Sequence, residues 1–330
     1  MRDRAHRDSG PRRWRARLNA ALLTQLVLAL GRCSPRVACG VVEAFGRLRY
    51  SVSWQRRRLV RRRASEVFGL PAGSELEGVV RRVFVNRLMN LAIPSSFARC
   101  REGTPAAHVS VEGRHHLDQG LEQGRGAILL GTHMGFPGVI CYFLRDLGYP
   151  LVRVGVAPDN ARLRRLDERV YAGLARSRQA SFEDIFLAED GSPRTLALQL
   201  RSAQRALQAN KVVFIGGEGL VGAQPVPTAF FGKRVGFPRG WVSLARITGA
   251  PVLFTFATRC RSAAFRIRCE PALSRSLIES QDAALAVGTY AQWVEERVRQ
   301  RPCHAGALLL EGGLPARSWD AALPVMRDRR

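Results

Sequence analysis

The chain has 330 residues, 46% hydrophobic and 24% charged, a globular balance that excludes a disordered or fibrous chain. Basic residues outnumber acidic ones 52 to 27, a net charge of +25. A field this positive draws anionic partners (phospholipid head groups, nucleic acid or acidic carrier proteins) without choosing among them. Lysine stands only at Lys211 and Lys233, so nearly all of the charge is arginine. The seven cysteines form no CxxC pair. That argues against a disulfide framework or structural zinc and for reduced thiols in a cytosolic setting.

Arg12, Arg13, Arg15 and Arg17 precede an apolar run over residues 18–30. It resembles a signal peptide, but no small-residue cleavage site follows, and Arg32 and Arg36 interrupt the place for one. The run is also shorter than the roughly 20 residues a spanning helix needs. It reads as an interfacial helix with arginines at the head groups, or as a buried first helix.

Residues 1–105 read as helical and basic. Arg56–Arg58 and Arg61–Arg63 crowd one helix, Pro71 and Gly73 break it, and a second helix spans 75–91. From residue 108 the pattern alternates. Strands are expected over 108–112, 127–131, 151–156, 212–215, 251–258 and 264–270, with an extended segment at 226–231. Helices are expected over 117–123, 139–147, 161–176, 193–208, 239–248 and 280–299. Such alternation implies an α/β fold, a mixed and mostly parallel sheet flanked by helices, with the helical N-terminal part packed beside it.

Three segments hold candidate chemistry. In the first, an apolar strand ends in Gly131-Thr132-His133-Met134-Gly135. Reactive groups collect at the carboxyl ends of strands in such sheets, and a histidine there can take a proton from an attacking alcohol or amine. In the second, an apolar strand ends in Gly216-Gly217-Glu218-Gly219, presenting a carboxylate on a flexible turn. The third runs from Pro227 to Gly240 and carries Phe231, Lys233, Arg234 and Arg239, suited to an acyl or phosphate site or to core packing. His115 and His116 lack the spacing of a helical zinc pair, and His304 has no evident role. No metal site, Walker A motif or nucleic-acid-binding signature is present.

Taken in order, these segments resemble the lysophospholipid acyltransferase superfamily, closest to the bacterial late lipid A (lauroyl/myristoyl) acyltransferases. The resemblance runs from about Arg56 to Ala272. It includes the lead-in from Val109 to Leu117, Gly124 to His133, Glu218, Phe230-Phe231-Gly232 and Gly240 to Val252. It implies one α/β acyltransferase domain over residues 106–330, packed as a unit with a membrane-facing helical region over 1–105. It implies a peripheral or monotopic protein at the cytoplasmic face of the cell membrane. The partners implied are an anionic membrane surface, acyl carrier protein or acyl-CoA as co-substrate, and a lipid or related acceptor. No further cofactor and no nucleic acid are expected.

By position His133 matches the family's general base and Glu218 its later acid. Thr132, Gly135, Gly217, Gly219, Phe231, Lys233, Arg234 and Arg239 are expected around the substrates, with backbone amides at the glycine-rich strand ends stabilising the oxyanion. The family's histidine is followed five positions later by an acid; here that position is Gly138. Three readings stay open. Glu218 takes over the orienting role, the acceptor demands less of the base, or the chain binds acyl groups without transferring them.

Overall fold

Two apolar pentapeptides that each end in glycine, β2 (Ala127–Gly131) and β5 (Val212–Gly216), form neighbouring strands inside a seven-stranded sheet. The computed structural model describes residues 29–30, 32–99, 107–156, 183–187, 193–218, 225–261, 263–311 and 323–324. Continuous apolar runs suit strands covered on both faces. All five residues of β2 are buried.

Three helices lead the described chain: α1 (Pro35–Val52), α2 (Trp54–Phe68) and α3 (Ser74–Arg99). The Ser34 hydroxyl caps α1 by accepting from the Val37 amide. Left-handed Gly69 ends α2. There follow β1 (Val109–Glu112), α4 (Arg114–Glu122), β2, α5 (Pro137–Asp146), β3 (Leu151–Val156), β4 (Glu183–Leu187), α6 (Pro193–Gln208) and β5. A hairpin of β6 (Val226–Phe230) and β7 (Lys233–Phe237) leads to α7 (Gly240–Thr248), β8 (Val252–Arg261), β9 (Ala264–Ala272), α8 (Arg275–Glu279) and α9 (Ala283–Gln300). A short turn reaches α10 (Gly306–Glu311), and β10 (Leu323–Pro324) pairs with β7.

The large sheet runs β1-β9-β8-β2-β5-β3-β4. Its pairs are parallel except β8 with β9. Side chains alternate across it, which builds a core on each face. Ile128, Leu130, Val213 and Phe254 meet α2, α6, α7 and α9 on one face. Leu129, Phe214 and Leu253 meet α1, α4 and α5 on the other. Helix α3 serves both cores, with Val80, Val83 and Phe84 in the first and Leu88, Met89 and Ile93 in the second. The N-terminal helices are tied to the C-terminal part by polar contacts too. Buried Arg63 donates to the Leu309 carbonyl at 3.1 Å, and Asn86 to that of Cys303 at 3.0 Å.

The mixed, mostly parallel α/β sheet is the one expected. Strands β4 and β7 were not. Lys233-Arg-Val-Gly-Phe237 alternates over only five residues beside Gly232, so it reads as a turn until β6 pairs with it. The helix expected at 280–299 starts at Ala283, where the Asp282 carboxylate accepts from the Ala284 amide at 2.8 Å. The helix expected at 75–91 continues to Arg99. The helix expected at 161–176 lies outside the described residues, as does the apolar run at 18–30 except for its last two residues. Of the six described cysteines, Cys39, Cys141 and Cys269 are buried.

Candidate active site

Register places the first two candidates together. β2 and β5 are parallel with Gly131 opposite Gly216. His133 and Glu218 each stand two residues past those glycines, so both emerge at the same carboxyl edge. His133 Nδ1 lies 3.8 Å from Glu218 Oε2; the imidazole is 40% exposed and the carboxylate fully buried.

A buried carboxylate needs hydrogen-bond donors, and three groups supply them. The His133 backbone amide donates to Oε1 at 2.7 Å, and the Thr132 hydroxyl donates to the same oxygen. The Tyr290 hydroxyl, on α9, lies 2.6 Å from Oε2 and 2.6 Å from the Gly131 carbonyl. Burial alone raises the pKa of Glu218, but His133, Thr132 and Tyr290 together hold it below the ordinary carboxylate value. The site therefore keeps a charge beside the histidine. Burial, then the charge of Glu218, pushes the Tyr290 phenol well above its ordinary value, so it remains a donor.

Glycines make the room. A β-carbon on Gly216 would stand 2.8 Å from Cε1 of His133, and one on Gly217 would stand 2.4 Å from Cζ of Tyr290. Gly135 has φ +72°, and its β-carbon would meet the Ala257 carbonyl oxygen at 2.4 Å. The strand ends are thus bare so that two rings and a turn fit against them.

The sequence profile described as bacterial lipid A biosynthesis acyltransferase matches residues 4–304. The chain belongs to that family. No curated protein compared with it matches.

Against this lipid A acyltransferase membership, the positions expected around the substrates divide. Thr132 is 3% exposed and its hydroxyl serves Glu218 and accepts from the Met134 amide. Gly135 and Gly217 serve packing. All three lie around the His133–Glu218 pair. Phe231 is also in the core, edge-on to Phe68 and Phe230, with its amide donating to Glu295 Oε2 at 2.6 Å. Arg234 and Arg239 are exposed and Lys233 half-buried, on β7 and just before α7. Gly219 lies outside the described residues.

The expected oxyanion amides are also spoken for. The His133 amide donates to Glu218 and that of Met134 to Thr132. Those of Gly135, Phe136 and Gly217 donate to the carbonyls of His304, Ala257 and Gly131. These five amides are thus engaged by two side chains and by carbonyls of neighbouring segments.

Two residues of the site escaped the sequence. Tyr290 sits at a core position of an amphipathic helix, and only the need of a buried hydroxyl for a partner marked it. His304 lies behind the loop, its ring edge-on to Phe136 at 5.6 Å between centroids. Burial, then Arg301, Arg82 and Arg259, lower its pKa to about 3. It is a neutral wedge under the His133 turn. Gly138 is in the first turn of α5, so the acid nearest the histidine comes from the neighbouring strand.

Proposed function

We propose that this chain transfers a fatty acyl group from an acyl carrier protein or coenzyme A thioester to a hydroxyl, or an amine, of a lipid or related acceptor at the cytoplasmic membrane surface. The observation that carries this reading is the buried, ionised Glu218 facing Nδ1 of a half-exposed His133.

In this reading the carboxylate favours the tautomer with the proton on Nδ1, which leaves Nε2 as the base. Nε2 takes the proton of the acceptor as its oxygen or nitrogen attacks the thioester carbonyl carbon. The charge of Glu218 stabilises the imidazolium that forms. The carbon–sulfur bond then breaks, and the imidazolium returns the proton to the leaving thiolate. Thr132 and Tyr290 keep Glu218 in place throughout. Lys233, Arg234 and Arg239 are the cations we assign to a phosphate of donor or acceptor. No cofactor beyond the acyl donor is required. No described helix is long and apolar enough to cross a membrane.

The test is donor consumption by the purified chain with acyl carrier protein and coenzyme A thioesters, across hydroxyl and amine lipid acceptors, read by mass spectrometry. An acylated acceptor with matching thiol release supports the reading. Unchanged donor across the panel contradicts it and favours an acyl-binding protein.

A further inference from the structure

Large exposed apolar side chains are unevenly placed. Among the described residues, six of the ten lie close together: Val37, Val41, Phe45, Leu48, Val52 and Trp54. The first five belong to α1. At about 100° per residue they share one stripe of roughly 80°. Their exposure runs from 41% at Val41 to 69% at Val52. Scattered apolar residues on a surface are ordinary, but a continuous stripe marks a binding face.

The helix cannot roll to hide this stripe. Its other face, with Ala38, Cys39, Val42 and Gly46, is already buried. Gly46 presses on α3, where an added β-carbon would stand 2.8 Å from the α-carbon of Val85.

Arg36 and Arg47 lie round the helix on one side of the stripe, Arg47 paired with Glu43 at 2.5 Å, and half-buried Arg49 lies on the other. Burial, then the neighbouring charges of Arg56 and Arg87, hold the Arg49 guanidinium below its ordinary value. Like charges therefore crowd this flank. An apolar stripe between arginines complements anionic head groups over acyl chains. A second copy fits poorly, because a symmetric pairing would set arginine against arginine on chains of net charge +25.

The opposite side of α1 reaches toward the catalytic edge. Glu43, on α1, accepts from Arg259 at 2.8 Å. Arg259 is two residues past Ala257 on β8, whose carbonyl accepts the Phe136 amide of the His133 loop at 3.1 Å.

We propose that the α1 stripe docks on an anionic phospholipid surface, with the opposite side of the helix held to the sheet through Arg259. This rests on the lipid-acceptor reading above and adds the docking surface.

The test is flotation of the full chain with phosphatidylcholine vesicles and with mixed phosphatidylcholine–phosphatidylglycerol vesicles. The wild-type chain floats with the mixed vesicles, and the Phe45→Glu/Leu48→Glu variant loses about tenfold or more in partition. Leu48→Gln, which adds no charge, shows a smaller loss and guards against misfolding of the double variant. Equal flotation of wild type and both variants would overturn the proposal, as would wild-type binding no better on mixed than on neutral vesicles. So would a wild-type dimer that the double variant splits while flotation is unchanged. Flotation that appears only after residues 2–28 are removed would make that segment the occupant and also overturn it. Vesicle binding needs no turnover, so a chain that floats as expected but consumes no acyl donor contradicts the acyl-transfer reading and leaves the docking intact.

Discussion

The imidazole of His133 lies against Gly216 so closely that a β-carbon there would stand 2.8 Å from Cε1. The glycine is therefore the floor of the histidine's seat. Gly216→Ala pushes the half-exposed ring away from Glu218 while the strand can keep its ladder. The expected outcome is a fall in kcat of about tenfold to a hundredfold with little change in Tm, read by steady-state kinetics beside a thermal melt.

Gly217→Ala behaves differently. Its new methyl meets the fully buried ring of Tyr290, 2.4 Å from Cζ. That ring cannot move outward. A destabilisation of about 1–3 kcal/mol is expected, measured by urea unfolding, with activity lost through the fold as well as the site.

Glu218→Gln removes the charge and keeps the shape. The amide turns two donors toward groups that now donate to it, so Thr132 or Tyr290 loses an acceptor. Transfer should fall by about two to four orders of magnitude, with KM for the donor little changed. Full activity in this variant would show that the carboxylate does not assist His133.

Tyr290→Phe deletes the hydroxyl that serves Oε2 and the Gly131 carbonyl. Loss of a hydrogen bond to a charged, buried group costs about 1.5–3 kcal/mol. Activity should fall less than in Glu218→Gln, because Thr132 and the His133 amide still hold Oε1. The ratio of the two variants' kcat values checks this order.

Acid should weaken the fold through His304. Its pKa is lowered from 6.5 to about 3 in the folded chain. Between those values the unfolded chain binds a proton that the folded chain refuses. Its contribution is full above pH 6.5 and is lost as pH falls towards about 3, at up to about 1.4 kcal/mol per pH unit. Glu218, with its pKa depressed from 4.5, adds a loss in the same direction at lower pH. His304→Phe, which suits a place beside Phe136 and Phe256, should flatten this slope in urea unfolding followed from neutral pH to about pH 4.5.

The pair at the centre was legible because each partner follows an apolar strand that ends in glycine. Alternation and strand ends name His133 and Glu218; they do not say that β2 and β5 are neighbours, which is fixed only by sheet order. The glycines were legible as turn formers, but not as the space for His133 and Tyr290, because that depends on rings from elsewhere. Tyr290 lies among Ala286, Val287 and Val294 and shares their core pattern, so its second role shows only in three dimensions. The apolar face of α1 was hidden for a related reason. Sequence shows that a helix has apolar residues, and here the core takes one side while solvent meets another.

Acyl transfer by His133→Ala tests the account most directly. The side chain is half-exposed and lies at a strand end, so the variant should melt close to wild type. With an acyl thioester and the acceptor found for the wild-type chain, transfer should fall by about three orders of magnitude or more. A folded His133→Ala chain that acylates the acceptor at the wild-type rate would contradict the account.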